Sequence, residues 1–587
     1  MKKLLCLLLS ALLLTGCGKA ASGERIPVQT VPTVLEDMTA DLEFSGTLHR
    51  YTENGGTWFT RFDTTTLIRL SDDGIWVNNG GETDGVFTSR DILYYEDRDA
   101  YESGNPYGEG EAGEKHSAEE AAAHMVVNIT QPGTYHVTGG LSAGQIRIDL
   151  GEEAYNDPNA VVELILEDVD ITCTVAPAIL FLNVYECDGN WSVETAKPDV
   201  DTSAAGANLI LQGRNTVTGS HVAKIYKDKE GEKKLWKQDG AIYSYMSMNV
   251  FGPGSLDLTA DNEGLDTELH LTVQSGDIAI RAGNDGINTN EDGVSVTTIN
   301  GGSLRIMAGL GAEGDGIDSN GYLVINGGTV VAAAHPAADA GLDSDLGSFV
   351  HGGVVLALGS SMDWAESDSG QVTMNLQFAQ YQPSDSAIVV CKEDGTVVFA
   401  YDPASDEIQG ENIRQYMGVI LSRPEMSQGD SYFVYTGGKL TGEETGGLYN
   451  KINGYEGGTR MAYTGTDVRR GPGGFGGGPM PEGMEPPEGM ELPEGGFNGR
   501  QPGEGGEMPG NFPGPEGDRP ENFPGGEMPK EFEGGRPEMP EGQMPENFPG
   551  ENWGPRPFAD GQTAGEASSL FYMQDMVNFF SGLQAAE

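Results

Sequence analysis

Two short glycine motifs alternate through the middle of the chain, and their repetition constrains the fold more than any other feature of the sequence. The first combines an acidic residue, Gly, an aliphatic residue and Asp or Asn, and it occupies residues 239–242, 263–266, 285–288, 315–318 and 340–343 with small variations. The second centres on a glycine turn and occupies residues 252–256, 274–278, 300–304, 326–330 and 351–355. Successive glycines lie 24, 22, 30 and 25 residues apart in the first set and 22, 26, 26 and 25 apart in the second. A period of about 25 residues is typical of one coil of a β-solenoid.

A single coil of this length cannot bury its own apolar side chains, so stability requires coils stacked about 4.8 Å apart around a shared interior. The aliphatic positions of the first motif should form one inward ladder, made of Ile242, Leu265, Ile287, Ile317 and Leu342. The paired glycines of the second motif should supply positive φ at the corners, where a Cβ is costly. Because no helix-period segment interrupts residues 126–365, a βαβ fold is excluded. We predict an all-β protein built on a right-handed parallel β-helix (solenoid).

Changes in composition divide the chain into seven segments. They are a lipoprotein signal peptide (1–16), a polar tether (17–43), an N-terminal β cap (44–125), the parallel β-helix (126–365), a flanking β region (366–440), a Gly/Pro/Met/Glu-rich segment (441–565) and a C-terminal amphipathic helix (566–587). The Gly/Pro-rich segment repeats short Met-Pro-Glu-Gly and Asn-Phe-Pro-Gly units, which cannot build a core, and we predict that it is disordered. The terminal helix is predicted from apolar residues at largely helical spacing. A short helical patch is also expected over residues 118–124.

The N-terminus predicts export and a lipid anchor. Lys2 and Lys3 precede an apolar run of about a dozen residues, which ends at Thr15-Gly16-Cys17 in the layout of a lipoprotein cleavage box. This run is too short to span the ~30 Å hydrocarbon core as a retained helix. We therefore expect Cys17 to become the lipidated first residue of the mature protein, on the extracellular face of a bacterial membrane.

The formal net charge of −56, from 90 acidic and 34 basic residues, restricts the possible partners. It argues against nucleic acid and against electrostatic docking on anionic lipid, so membrane contact should occur through the N-terminal lipid only. Divalent cations are the natural counterions of such a chain. We expect a monomer.

Three cysteines remain beyond Cys6 and Cys17, namely Cys173, Cys187 and Cys391. Cys173 and Cys187 could form a bridge in an exporting compartment, but the cysteines provide no even framework, so disulfides do not hold the fold. No spacing of Cys and His residues indicates a zinc site.

If the first motif falls at the same place in successive coils, its polar side chains form two neighbouring columns. One column contains Asp266, Asn288, Asp318 and Asp343, and the other contains Glu263, Asp285 and Asp315. Carboxylates about 5 Å apart repel by roughly 3 kcal/mol per pair at an effective dielectric near 20, and a bound cation relieves that repulsion. Calcium takes oxygen ligands of these types. Asp-Gly and Asn-Gly pairs also form turns without any metal, but five repeats of the pattern favour a Ca²⁺ site.

The sequence gives weaker evidence for catalysis. A calcium-dependent lyase needs a basic residue to remove a proton from the sugar, and Arg281 and Arg305 are the obvious options within the coils. They lie at different offsets from their glycine pairs, so they should not form one site. The paired acids of a glycoside hydrolase are defined by their separation, which the sequence does not reveal. Enzymatic activity stays open, and a binding protein is favoured.

Several stretches of the sequence resemble a known family. They are residues 129–141 (ITQPGTYHVTGGL), 164–172 (LILEDVDIT), 177–179 (PAI), 418–424 (GVILSRP) and 429–432 (GDSY), together with the repeated Asp-Gly-Ile-Asp and Asn-Gly-Gly motifs. These features, spread over residues 126–440, are similar to those of clostridial surface proteins known as carbohydrate-binding domain-containing proteins, which are related in fold to pectate lyases. The resemblance implies a right-handed parallel β-helix with bound calcium and affinity for cellulose and polygalacturonate, without lyase activity.

Carried over by motif, the resemblance implies calcium ligands at Asp285, Asn288, Asp315, Asp318 and Asp343, whereas Ala340 stands where the other repeats have an acid. The sequence therefore favours a calcium-dependent polysaccharide-binding lipoprotein of the cell surface, whose partner is an acidic glycan such as pectin or a cellulose-like chain. The alternatives are a calcium-dependent lyase or hydrolase on the same scaffold and a structural adhesin without glycan specificity. No residue is predicted to contact the sugar.

Overall fold

A computed structural model describes residues 29–30, 50–53, 56–59, 62, 64–95, 115–189, 192–193, 195–223, 237–337, 339–360, 363–406, 408, 414–466 and 567–586. The predicted signal peptide, the lipidation site Cys17 and residues 467–565 of the Gly/Pro-rich segment lie outside these ranges. The described part is almost entirely β-structure, which confirms the predicted all-β class.

Helix is confined, within the described residues, to Ala118–Ala123 and to two short 3₁₀ turns, Ala154–Asn156 and Pro403–Ser405. The α-helix begins after Ser117, whose side chain accepts a hydrogen bond from the backbone N–H of Glu120, as a helix N-cap does. It coincides with the helical patch expected from the sequence. No helix in the described ranges combines the length and apolarity that crossing a bilayer requires.

Three strand ladders form the body of the protein. Ladder 1 contains Val86–Ser89, Met125–Ile129, Gly144–Asp149, Ile179–Asn183, Gly240–Ser244, Glu263–Thr267 and Ile287–Thr289. All of its pairings are parallel except the first. Isolated parallel bridges extend it from Ile287 to Ile317 and from Ile317 to Leu342.

All pairings between successive strands within ladders 2 and 3 are also parallel. Ladder 2 contains Thr65–Leu70, Gly133–Leu141, Val162–Thr172, Ala207–Gln212, Met248–Phe251, Leu271–Val273, Val296–Ile299, Tyr322–Ile325 and Gly347–Val350. Ladder 3 starts at the end of Val162–Thr172 and continues through Arg214–Gly219, Ser255–Ala260, Asp277–Ala282, Ser303–Met307, Thr329–Ala333 and Val354–Gly359. From Gly240 onward the chain visits ladders 1, 2 and 3 in turn and then returns to ladder 1, so the repeat seen in the sequence is also the pairing interval. The right-handed parallel β-helix itself stays a prediction.

The predicted inward ladder is present. Ile242 pairs with Leu265, Leu265 with Ile287, and the bridges continue to Ile317 and Leu342. All five side chains have no exposed surface and belong to the largest apolar cluster of the protein. Burying an aliphatic side chain of this size contributes about 1.5–3 kcal/mol, so the stacked aliphatic positions are a main source of cohesion between coils.

The two glycine motifs are glycine-rich for different reasons. In the second motif, Gly302 and Gly328 have φ values of 82° and 80°, in the region that L side chains rarely adopt, as predicted for the corners. In the first motif the reason is space, because a Cβ on Gly286 would lie 2.1 Å from Cγ2 of Ile306 on ladder 3. The glycines of the first motif therefore permit two ladders to approach each other closely.

The N-terminal part extends the ladders. Thr65–Leu70 joins ladder 2 and pairs with the short strand Trp76–Val77. Farther upstream, Gln29–Thr30, Arg50–Glu53 and Gly56–Phe59 form a small antiparallel sheet. The first of these strands falls inside the segment predicted to be a tether, and the tether itself stays a prediction.

The flanking region is larger than predicted. It contains Thr373–Gln382, Ile388–Lys392, Val397–Tyr401, Tyr416–Ser422 and Ser431–Thr436, and it continues past residue 440 with Lys439–Thr445, Leu448–Glu456 and Thr459–Ala462. The predicted start of disorder at 441 is therefore wrong, because this hairpin buries Leu440 and Tyr449 against the sheet. Tyr416–Ser422 runs antiparallel to Val354–Gly359, the last strand of ladder 3.

The chain ends in β-strands, and the predicted C-terminal helix over 566–587 is wrong. Phe571–Tyr572 and Val577–Ala585 are strands, and the second lies parallel to Thr373–Gln382 and antiparallel to Thr459–Ala462. Pairing with the neighbouring strands outweighs the helical spacing of the apolar residues, because it buries Phe571 completely and Phe580 almost completely.

No disulfide joins the three cysteines in the described residues, so Cys173 and Cys187 do not form the bridge that the sequence left open. Burial raises the pKa of the Cys173 thiol to about 11, which keeps it protonated and unreactive. Cohesion in the described part therefore comes from strand pairing and apolar packing.

Candidate functional site

The acidic and amide residues of the first motif lie along ladder 1. Asp266 is directly opposite Asn288, and the bridges at the neighbouring aliphatic positions bring Asp318 and Asp343 into the same row. Successive side chains of a strand point to opposite faces. Because the neighbours of these polar residues in sequence form the inward ladder, the polar row faces away from the apolar interior. The first predicted column thus has the arrangement expected from the repeat.

The second column lies three residues earlier, where the chain enters ladder 1. Backbone bonds run from Gly264 N–H to Asp285 C=O and from Gly286 N–H to Asp315 C=O, and they fix the register of the corner. The next position along the column is Ala340, whose N–H donates to Asp315 Oδ1 at 2.5 Å. The column of carboxylates therefore ends at Asp315, as the sequence indicates.

Three carboxylates converge at one end of these columns. The side chains of Asp239, Glu263 and Asp266 each offer an oxygen, and these oxygens lie within 4.8 Å of one another. All three residues are buried, with exposed fractions of 3%, 2% and 0%. We call this group the acidic cluster. The ammonium of Lys237 lies 2.7 Å from Asp239 Oδ2.

Two oxygens of the acidic cluster lack a hydrogen-bond donor among the described residues. They are Glu263 Oε2 and Asp266 Oδ2, and the neighbouring Asn288 Oδ1 has none either. The other oxygen of Asp266 accepts from Asn290 Nδ2 at 2.7 Å. A buried acceptor without a donor costs about 1–3 kcal/mol, and more when it is charged, so these three oxygens require a ligand or a proton.

The electrostatics of the acidic cluster agree with this requirement. Burial, together with the charges of Asp266 and Asp239, raises the pKa of Glu263 well above its usual value. Burial and Asp239 do the same to the pKa of Asp266. With all three carboxylates ionised and Lys237 protonated, the formal charge of the group is −3 + 1 = −2. A single divalent cation neutralises that charge.

We call the two columns together the acidic row. In its second column, Asp285 and Asp315 also connect successive passes of the chain through ladder 1. Asp285 Oδ1 accepts from the N–H of Asp315 at 2.6 Å, and Asp315 Oδ1 accepts in the same way from the next coil. Despite these hydrogen bonds, burial and the charges of Asp285 and Asp343 raise the pKa of Asp315 to about 9. Burial, Asp343 and Asp345 raise the pKa of Asp318 to about 7. Repulsion therefore extends along the whole row.

The donor set suits a hard divalent cation. It consists of carboxylate and amide oxygens, with no thiolate or imidazole, and these are the ligand types of calcium, which takes six to eight oxygens at about 2.3–2.6 Å. Asp239, Glu263, Asp266 and Asn288 could each supply an oxygen from three successive coils. In the absence of a cation, the alternative is protonation of one or more carboxyls.

Of the seven predicted metal residues, Glu263 and Asp266 lie in the acidic cluster, and Asn288, Asp285, Asp315, Asp318 and Asp343 lie along the row that extends from it. Asp239 was not predicted as a ligand, although it is the first residue of the first copy of the motif. Gly240, and not Asp239, is in register with Glu263, so the first copy is offset by one residue. The Asp side chain nevertheless reaches its neighbours.

The two arginines considered as catalytic bases lie elsewhere. Arg281 and Arg305 are on ladder 3, where they face Asp257 and Asp277 at 2.8 and 3.6 Å. The flanking region covers them, since Arg281 Nε donates to the carbonyl of Ile408 at 3.3 Å. They pair with acids and pack against the flanking region, as ordinary strand residues do, and they do not adjoin the acidic cluster.

Comparison with known proteins finds a family model, a curated relative and a solved structure that are similar to parts of this chain. Residues 123–374 match the model of a family described as carbohydrate-binding domain-containing protein. A curated relative of the same description from Acetivibrio thermocellus is 29% identical over 157 residues, which is 27% of this chain and 45% of the relative. The chain therefore spans less than half the length of that relative. A solved structure, described as the polysaccharide lyase-like protein from C. thermocellum in a gadolinium derivative, is 21% identical with a TM-score of 0.30, covering 49% of this chain and 93% of that one.

The matched segment includes ladders 1, 2 and 3 from Met125 onward, and with them the acidic cluster and the whole acidic row. Most of the flanking region and the terminal strands lie beyond it, since the match ends at residue 374. The family match thus coincides with the part of the fold that brings the carboxylates together.

Proposed function

We propose that this chain is a calcium-dependent polysaccharide-binding protein. The observation that carries the proposal is the acidic cluster, a buried set of carboxylates in which Glu263 Oε2 and Asp266 Oδ2 require a ligand or a proton, within the segment that matches a carbohydrate-binding family model. Calcium would be held by Asp239, Glu263 and Asp266 with the Asn288 amide nearby, and along the row by Asp285, Asp315, Asp318 and Asp343.

The charge of the protein favours an acidic glycan as the ligand. A chain with a formal charge of −56 repels a polyanion such as polygalacturonate unless cations lie between the two surfaces. Calcium ions shared between protein carboxylates and sugar carboxylates would remove that repulsion. A cellulose-like chain is the neutral alternative, and its binding would not depend on charge.

We also infer that the three ladders are the faces of a right-handed parallel β-helix. Support comes from parallel registers at intervals of 22 to 30 residues from Gly240 onward, as between Leu265 and Ile287 and between Ile287 and Ile317. Crossover connections between parallel strands of one sheet are right-handed in nearly all proteins. Stacked coils of this kind explain why one motif can build a continuous row of oxygens.

The N-terminal sequence supports a location on the outer face of a bacterial membrane. The apolar run followed by Cys17 has the layout of a lipoprotein signal, and a lipid at this cysteine would provide the contact with the membrane. A monomer displayed in this way could bind polysaccharide outside the cell.

The test is affinity electrophoresis of the protein in gels that contain polygalacturonate, a neutral glucan or no polysaccharide, with calcium or with a chelator. We expect retardation by polygalacturonate with calcium, loss of that retardation with chelator, and loss in the double variant Glu263→Gln, Asp266→Asn. Retardation that is equal with and without calcium in both proteins would contradict the calcium role. Release of unsaturated products, followed by ultraviolet absorbance, would move the assignment to a lyase.

A further inference from the structure

The flanking region contains a cleft that the proposed calcium site does not involve. It has a volume of about 1050 Å³ and lies between the outer face of the flanking sheet and the hairpin Lys439–Thr445 and Leu448–Glu456. Its walls come from residues 391–393, 395–400, 423, 425, 433, 435, 449–450, 452–455 and 457–458. A cavity of this size can hold a ligand as large as a short oligosaccharide.

Strand alternation gives the cleft its aromatic walls. Phe433 and Tyr435 project from one face of the strand Ser431–Thr436, while Tyr432 and Val434 on the other face are buried in the core. The guanidinium of Arg460 lies 3.7 Å from the centroid of the Phe433 ring and fixes the orientation of that ring.

The hairpin contributes the opposite wall. Tyr455 stands edge-on to Tyr435 with ring centroids 6.0 Å apart, and its hydroxyl donates to the carbonyl of Gly437 at 2.9 Å. Tyr449 is buried at the base, and Asn450 and Asn453 are exposed at the margin. The cleft therefore combines rigid aromatic rings with amides that can both donate and accept hydrogen bonds.

The charge of the cleft differs from that of the chain as a whole. Its walls carry two basic residues, Lys392 and Arg423, and two acidic ones, Glu393 and Glu425. Arg423 Nε lies 2.8 Å from Glu425 Oε2, and Lys392 Nζ lies 3.0 Å from Asp430 Oδ2. A wall without net charge, in a protein with a formal charge of −56, suits neither a bare cation nor a polyanion.

From this combination we propose that the flanking cleft is a second binding site, for a neutral oligosaccharide chain, and that it works without calcium. Sugar rings have apolar C–H faces that pack on aromatic rings and hydroxyl edges that bond to amides. Tyr435 and Tyr455 supply the packing faces, and Asn450 and Asn453 bind hydroxyls. A protein with this cleft and with the acidic row would bind a neutral and an acidic polysaccharide at separate places.

The experiment is isothermal titration of the full chain with cellohexaose and xylohexaose in the presence of a chelator. At least one of these neutral chains should bind. Tyr455→Ala should weaken that binding about tenfold or more, the loss expected from removing a central aromatic contact. Because Tyr455 also supports the hairpin, the double variant Asn450→Ala, Asn453→Ala removes only exposed side chains and should weaken the same binding.

Tyr572→Ala is the matched control, since Tyr572 is an exposed tyrosine of the flanking sheet that does not line the cleft. Its affinity should equal that of the wild type. Absence of binding by both sugars would overturn the proposal, as would unchanged affinity in the asparagine double variant. The acidic site is tested separately, because its ligand is polygalacturonate with calcium, whereas the titrations of the cleft are made with neutral chains in chelator.

Discussion

Replacing one carboxylate of the acidic row should have opposite effects on stability with and without calcium. Asp318→Asn keeps the size of the side chain and removes its charge. Without a cation, burial and two neighbouring carboxylates, Asp343 and Asp345, raise the pKa of Asp318 from 3.8 to about 7. Between these two values the folded protein binds more protons than the unfolded chain, so stability falls as the pH rises from about 4 to about 7 and then levels off.

The size of this effect follows from the same rise in pKa. A change from 3.8 to about 7 corresponds to about 4 kcal/mol, and partial contact of the side chain with solvent reduces the expected loss to about 1–3 kcal/mol. Since Asn cannot ionise, Asp318→Asn should be more stable than the wild type by this amount at pH 8 in chelator. With calcium present, the variant loses a ligand and the stabilisation that comes from binding, so it should be the less stable protein.

Urea denaturation at pH 8, followed by circular dichroism in chelator and in millimolar calcium, measures both differences. Asp170→Asn is the control, because Asp170 is an exposed carboxylate on the strand Val162–Thr172. It should change stability by less than about 0.5 kcal/mol in both conditions. If Asp318→Asn destabilises the protein equally with chelator and with calcium, the reasoning from repulsion and cation binding is wrong.

Three further predictions concern the fold. Gly286→Ala should cost about 1–3 kcal/mol in urea denaturation, because its Cβ would lie 2.1 Å from Ile306 Cγ2, and an unchanged midpoint would contradict the close approach of the ladders. Phe580→Ala should cost about 3–5 kcal/mol, since the ring is 2% exposed, whereas a solvated terminal segment would tolerate the change. Reductant should leave the melting temperature unchanged, and Cys173 and Cys187 should both react with a maleimide after unfolding without reduction. A lower melting temperature in reductant would indicate a bridge.

The repeat in the sequence was sufficient to predict the interior of the coils and the placement of the acidic row. A fixed interval between motifs determines which residues stack, so the pairing of Leu265 with Ile287 follows from the sequence alone. The same reasoning placed Asn288 beside Asp266. It did not identify Asp239 as a ligand, because the first copy of the motif is shifted by one residue and Gly240 is the residue that pairs with Glu263. The side chain of Asp239 nevertheless reaches across this shift.

The regions without a repeat were harder to predict. The terminal strand Val577–Ala585 has apolar residues that also fit a helix, and only the open slot beside Thr373–Gln382 makes it a strand. The hairpin after residue 440 is polar at its surface, and the face that it covers is formed by strands distant in sequence. The flanking cleft exists only between these elements, so no local pattern could indicate it.

The proposed function requires that buried carboxylates hold a divalent cation on which polysaccharide binding depends. Its most direct test is calorimetric titration of calcium into the chelator-treated protein, followed by titration of the calcium-loaded protein with oligogalacturonate. We predict saturable calcium binding that is lost in the Glu263→Gln, Asp266→Asn double variant, and binding of oligogalacturonate only to the calcium-loaded wild type. Absence of calcium binding by the wild type, or equal binding of oligogalacturonate with and without calcium, would contradict the account.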